Sequence, residues 1–215
     1  MKGFHRAVKD AVYMGCKTGF FGILVCMVMS GWFRLMELGA NIDFSGMYAN
    51  GNLFIIYGVT LILFQGALYT TNGLKTQLSM GCTRRHAVYG NAVMSLVLSA
   101  ILIAGILVIG LIQRVNESGT PAGNLIRNAS LLFIGSGIGA IMGVVVDRFG
   151  KWAYNIAIII CCVGIGVYTS LTVSGDVKIS LEFLQSPVLT VIAVMIFLGG
   201  YFILGKYVSK LDVKL

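Results

Sequence analysis

The chain reads as an all-α integral membrane protein with six transmembrane helices, and three observations predict it. Six long apolar runs fill most of its 215 residues, and only 11% of the residues are charged against 57% hydrophobic, at a mean hydropathy of +0.89, which excludes a soluble domain. Whole helix circumferences are apolar, where a soluble helix would keep a polar face. Basic residues crowd the connections on one side alone. A run of about 20 apolar residues crosses a bilayer core. The segments between the runs are too short to bury cores of their own, so residues 1–215 form a single transmembrane domain.

Residues 1–17 predict an amphipathic interfacial helix, with Phe4, Val8, Ala11, Val12 and Gly15 on one side and Lys2, Arg6, Lys9 and Tyr13 on the other. The alternative is a basic flank that only orients the first span. Spans are expected at about Thr18–Leu38, Gly51–Thr71, Val88–Ile112, Leu125–Val146, Ala153–Val173 and Val188–Tyr207. The first run has no small-x-small cleavage site and continues to Arg34, so it reads as an uncleaved span and not a signal peptide. Six spans put both termini on one side. Twelve basic residues face three acids there, against four facing five on the other side, which predicts cytoplasmic termini in the cell inner or plasma membrane. The positive charge is thus topological. No nucleic-acid motif accompanies it, and membrane lipids are the expected surroundings.

The connection after the second span carries the most local information. Leu74 and Leu78, one turn apart, predict a short cytoplasmic helix from about Gly73 to Met80. Gly81 supplies the left-handed residue that ends it, and Thr83 caps a new helix running into the third span. Arg84 and Arg85 fall in the first turn of that helix, where cations oppose the helix dipole. Compensation is expected from outside the chain, from lipid phosphates or acidic groups of a partner. The plainer alternative is that both arginines serve only the topology.

In the fourth span Gly135, Gly139 and Gly143 form a small-residue ladder for close helix packing, within the subunit or across a dimer. Gln65, Asn91, Ser95, Ser99 and Asn155 are polar groups in or near spans, and either line a lateral pathway or make interhelical hydrogen bonds. Arg34, Glu37 and Arg127 lie near outer helix ends, from which they are expected to snorkel. No Asp, Glu, Lys or His falls near the middle of a span, which weighs against ion-coupled transport.

Catalytic signatures HExxH and GxSxG are absent, as is a carboxylate pair within a span, so no enzyme is expected. The five cysteines lack CxxC spacing, and neither a metal nor a cofactor is expected on this chain. Gly200 to Tyr207 fits GxxxxGK, but ends in Tyr207 where a P-loop needs Ser or Thr, and no strand precedes it.

Leu78-Ser-Met-Gly-Cys-Thr-Arg-Arg85, followed by Gly90-Asn91 and a long apolar run, resembles the motif between the second and third spans of small bacterial ABC transporter permeases, which are similar to the ABC type-2 exporter permeases. Gly139-Ala-Ile-Met-Gly143 with Asp147-Arg-Phe-Gly-Lys151 resembles the short turn after their fourth span. The resemblance implies the permease subunit of an ATP-driven exporter, paired with itself or a similar subunit, and served by a separate ATPase that holds ATP and Mg. It also implies that 73–86 is a coupling helix, with Lys75, Leu78, Gly81, Thr83, Arg84, Arg85 and His86 as the ATPase-coupling residues. An apolar pathway with few ionisable groups suits an amphiphilic or peptide substrate. Two other classes remain open: a non-transporting assembly or immunity protein, and a secondary transporter, against which counts the lack of an internal repeat.

Overall fold

The computed structural model describes residues 2–40, 52–79, 81–113, 121–150 and 187–210, together with 152, 153, 155, 156 and 159. Helix α1 spans Lys2–Ala40 and α2 spans Asn52–Leu68. A π-helical turn, Tyr69–Gly73, carries α2 into α3, Leu74–Ser79, and α4 (Arg84–Gln113), α5 (Pro121–Phe149) and α6 (Pro187–Ser209) follow. No strand occurs among the described residues. Three of these helices are long and apolar enough to cross a membrane, over Arg84–Val108, Leu125–Phe149 and Pro187–Ser209, and Tyr57–Leu68 is a shorter apolar stretch. All but a few residues of the expected fifth span, Ala153–Val173, lie outside the described residues.

The arm expected as an interfacial helix is helical, and it continues without a break into the first apolar run, both belonging to α1. The reason is a stripe of small buried residues, Ala7, Ala11, Gly15, Gly19 and Gly22, that continues across residue 17 at helical spacing. This stripe lies on α4. A β-carbon at Gly15 would sit 3.0 Å from the Met94 carbonyl oxygen, one at Gly19 2.7 Å from Ile101, and one at Gly105 2.5 Å from Ile23. Partners climb together along both helices, so α1 and α4 run parallel. The opposite side of α1 exposes Phe20, Phe21, Leu24, Val28 and Trp32, an apolar surface suited to lipid.

The short helix expected at about Gly73–Met80 is present as α3, Leu74–Ser79, and follows α2 without a break. The Leu74 amide donates to the Tyr69 carbonyl, five residues back, and the helix absorbs an extra residue there without ending. The threonines on either side of this widening turn inward on the backbone: Thr70 Oγ1 donates to the Gly66 carbonyl (2.8 Å) and Thr76 Oγ1 to that of Asn72 (2.9 Å).

Glycine sets the remaining spacings. A β-carbon at Gly139 would meet the Leu63 carbonyl oxygen at 3.0 Å, one at Gly135 Val59 at 3.2 Å, and one at Gly143 Thr70 at 2.4 Å, so the ladder of α5 faces α2 of the same chain. On its other flank, α5 meets α6 backbone to backbone. A β-carbon at Gly200 would fall 2.3 Å from the Gly137 carbonyl oxygen. Contacts rise in step along α2, α5 and α6, so all three run parallel to one another. They run antiparallel to α1 and α4, as the pairing of Ile62 with Leu98 and Tyr69 with Met94 requires.

These contacts distinguish neighbouring glycines. Gly200→Ala is expected to cost about 1–3 kcal/mol by overpacking. Gly199→Ala, where nothing lies within 4 Å, is expected to be neutral or to stabilise by up to about 1 kcal/mol through helix propensity. Thermal unfolding of the two variants in detergent checks the contrast.

Candidate functional site

The link from α3 to α4 is a tight corner with its backbone groups satisfied. Gly81 has φ +82°, a conformation that disfavours any residue with a β-carbon. Its amide donates to the Leu78 carbonyl (3.1 Å) and the Cys82 amide to that of Gln77 (3.1 Å), the paired bonds of a Schellman ending. Thr83 then starts α4: its Oγ1 accepts from the His86 amide (3.3 Å), and its carbonyl from the Ala87 amide (3.0 Å).

The corner rests on the end of α6. Leu74, Leu78 and Ala87 are buried against Ala140, Tyr201, Leu204 and Val208, so the Leu78 side chain belongs to the core. Lys75 Nζ donates to Asp147 Oδ1 at 2.5 Å, and the Tyr207 hydroxyl to Asp147 Oδ2 at 2.8 Å. One carboxylate at the end of α5 thereby ties α3 to α6. It is shielded, at 9% exposure, while the Lys75 side chain is 62% exposed.

The expectation that both arginines need outside compensation is corrected for Arg84. Its Nη1 donates to the Ser209 carbonyl at 2.7 Å, at the carboxyl end of α6, where the helix dipole is negative. The end of one helix thus neutralises a cation misplaced at the start of another. Arg85 is exposed and meets no partner among the described residues. Gly81 and Thr83 are exposed as well, and His86 is half-buried.

The polar groups of the spans divide. Asn91, Ser95 and Ser99 are buried, and the first two are bonded across helices. The Tyr201 hydroxyl lies 2.7 Å from Ser95 Oγ, 3.2 Å from Ser136 Oγ and 3.4 Å from the Asn91 carbonyl oxygen. Asn91 Nδ2 donates to Thr70 Oγ1 (3.3 Å), and Ser99 Oγ to the Ser95 carbonyl (2.8 Å). This network joins α2, α4, α5 and α6. Gln65 is half-buried with its Nε2 3.9 Å from Met94 Sδ, and Asn155 is exposed, with no hydrogen bond to the network. Arg127 does not snorkel: it is 2% exposed, and its Nε donates to Asn128 Oδ1 (3.2 Å). The GxxxxGK sequence lies wholly within α6.

Tyr201, Asp147 and Tyr207 escaped the sequence reading as site residues. Asp147 had a signal, being a lone acid among basic residues, whereas one tyrosine among apolar neighbours in a span announces nothing. Compared with protein-family models, curated proteins and solved structures, the chain matches none.

The ties differ in weight. Asp147→Ala leaves a lysine and a tyrosine without their acceptor and is expected to cost about 1–3 kcal/mol. Lys75→Met, at an exposed ion-pair end, should cost less than about 1 kcal/mol. Gly81→Val, which forces a β-branched residue into the left-handed region, should cost about 1–2 kcal/mol. Denaturation of each variant in detergent measures the order.

Proposed function

We propose that this chain is the membrane-spanning permease subunit of an ATP-driven exporter, with six spans and cytoplasmic termini, coupled to a separate ATPase through its α3–α4 corner. Helices α5 and α6 are parallel, so Phe149 and Pro187 lie at opposite ends of the bundle, as a fifth span in the sequence between them would require. The three long apolar helices, the shorter stretch Tyr57–Leu68 and the apolar runs of residues 18–38 and 153–173 together support six spans. The charge bias supports cytoplasmic termini.

One observation carries the coupling role. The corner presents an exposed cationic edge, Lys75 and Arg85, on a backbone held by its Schellman ending, its cap and the Asp147 tie. A rigid, charged projection linked to α5 and α6 can pass a push from below into the bundle. Its natural complement is an acidic groove on an ATPase that carries the ATP and Mg. The two permease subunits would be identical or similar copies, and the substrate an amphiphile or peptide.

A second reading, a non-transporting assembly or immunity protein acting by helix contacts, is favoured by the polar network: Asn91, Ser95 and Tyr201 bond to one another.

Charge reversal at Arg85 tests the proposal more cleanly than at Arg84, which holds the end of α6. Arg85→Glu combined with Lys75→Met is expected to reduce copurification with the ATPase at least about tenfold, since charge pairs desolvated at an interface are worth more than about 1.4 kcal/mol. Membrane insertion and the partner's own ATP hydrolysis should persist. Wild-type copurification and transport by this double variant would remove the corner as the coupling element.

A further inference from the structure

An open groove of about 600 Å³ separates α1 from the continuous helix α2–α3 at the basic end of the bundle. We propose that it binds an amphiphile whose headgroup is a primary ammonium. Three features of its lining carry this.

The first is a gradient of polarity. Asp10 lies at one level of α1, and Asn72, Thr76 and Gln77 lie on the facing helix. One turn along α1 comes Met14, and two turns back from Thr76 comes Leu68, both exposed and apolar. The two helices run antiparallel, so both steps go the same way, from the basic end towards the apolar middle. A molecule lying along the groove meets polar groups at one end and an aliphatic wall at the other.

The second is the hydrogen-bonding capacity that remains. Gln77 Nε2 already donates to the Tyr69 hydroxyl, and the Thr76 hydroxyl to the Asn72 carbonyl. The Thr76 hydroxyl oxygen and Gln77 Oε1 keep acceptor capacity. Gln77 is 6% exposed, and its Oε1 has no hydrogen-bond partner among the described residues. A buried acceptor left without a donor is a standing cost to the fold. An ammonium brings three donors and no acceptor.

The third is charge. Asp10 is the one carboxylate, and no lysine or arginine occurs, among the described residues that line the groove. A cationic head is drawn to that carboxylate. The wall itself is the π-helical turn, a distortion frequent at functional sites. Gly73 keeps that wall in shape, since a β-carbon there would fall 2.8 Å from the Tyr69 ring.

As a waiting place for exported cargo, the groove rests on the permease reading, but its binding property is testable without any ATPase. The protein, in nanodiscs of phosphatidylcholine, is titrated with dodecylamine bearing a fluorophore at its tail end, and anisotropy is followed. The expected result is saturable binding, weakened about tenfold in Asp10→Asn, an exposed position whose change spares the fold. Dodecanoate with the same fluorophore should not saturate. Met14→Trp, which narrows the apolar end, should weaken binding while leaving thermal unfolding unchanged. Competition by phosphatidylethanolamine added to the disc would identify a lipid as the source of the ammonium, and no competition a free amphiphile; both results support the site. Unsaturable uptake equal to that of empty discs, or equal binding of dodecanoate, or of dodecylamine by Asp10→Asn, would overturn it. Amine binding without ATPase copurification would sink the permease reading alone, and the reverse would sink this inference alone.

Discussion

The backbone contact of Gly137 with Gly200, flanked by that of Gly66 with Gly139, is the constraint on which the bundle depends. In a bilayer the tails are as apolar as leucine, so helices gain little from hiding apolar surface in one another. Close approach and interhelical hydrogen bonds must supply the specificity. Where α5 touches α6 backbone to backbone, Tyr201 comes within reach of Ser95 and Ser136, and the polar network closes. With bulkier residues at 137 or 200, the same hydroxyls would be held apart in a medium that offers no substitute partner.

The corner obeys a related economy. A helix start is a poor place for Arg84, and a helix end is a poor place for the open carbonyl of Ser209. Each defect satisfies the other, 125 residues apart in sequence. Asp147 repeats the device with Lys75 and Tyr207. These contacts join α3, α5 and α6 at one end, and there the exposed charge of Lys75 and Arg85 is carried on a fixed frame. A loose loop with the same charges would transmit no displacement.

Much of this was legible from residue types alone. Gly81 and Thr83 announced their backbone roles because few residues tolerate φ +82° or cap a helix well, and the structure gives both those roles. The long apolar helices and the all-helical fold followed from composition. What was not legible required knowing neighbours. The stripe from Ala7 to Gly22 resembles an interfacial helix joined to a span until α4 is seen to accept all of it. Arg84 gave no sign of its distant carbonyl, nor Arg127 of its burial. The π-helical turn hides inside a helical pattern because it adds one residue without interrupting apolarity.

The reliance of the corner on α6 gives the protein a timetable. A ribosome makes residues 74–87 long before Leu204, Val208 and Ser209, which form their floor and accept the Arg84 hydrogen bond. Until α6 enters the membrane, Leu74 and Leu78 lack that apolar cover and the α4 start keeps an unshielded cation. The corner therefore matures only once α6 has joined it, and a subunit without α6 displays apolar surface there that the assembled one covers. Quality control in the cell acts on surfaces of that kind, so the joint between α3 and α6 reports whether the later helix has arrived.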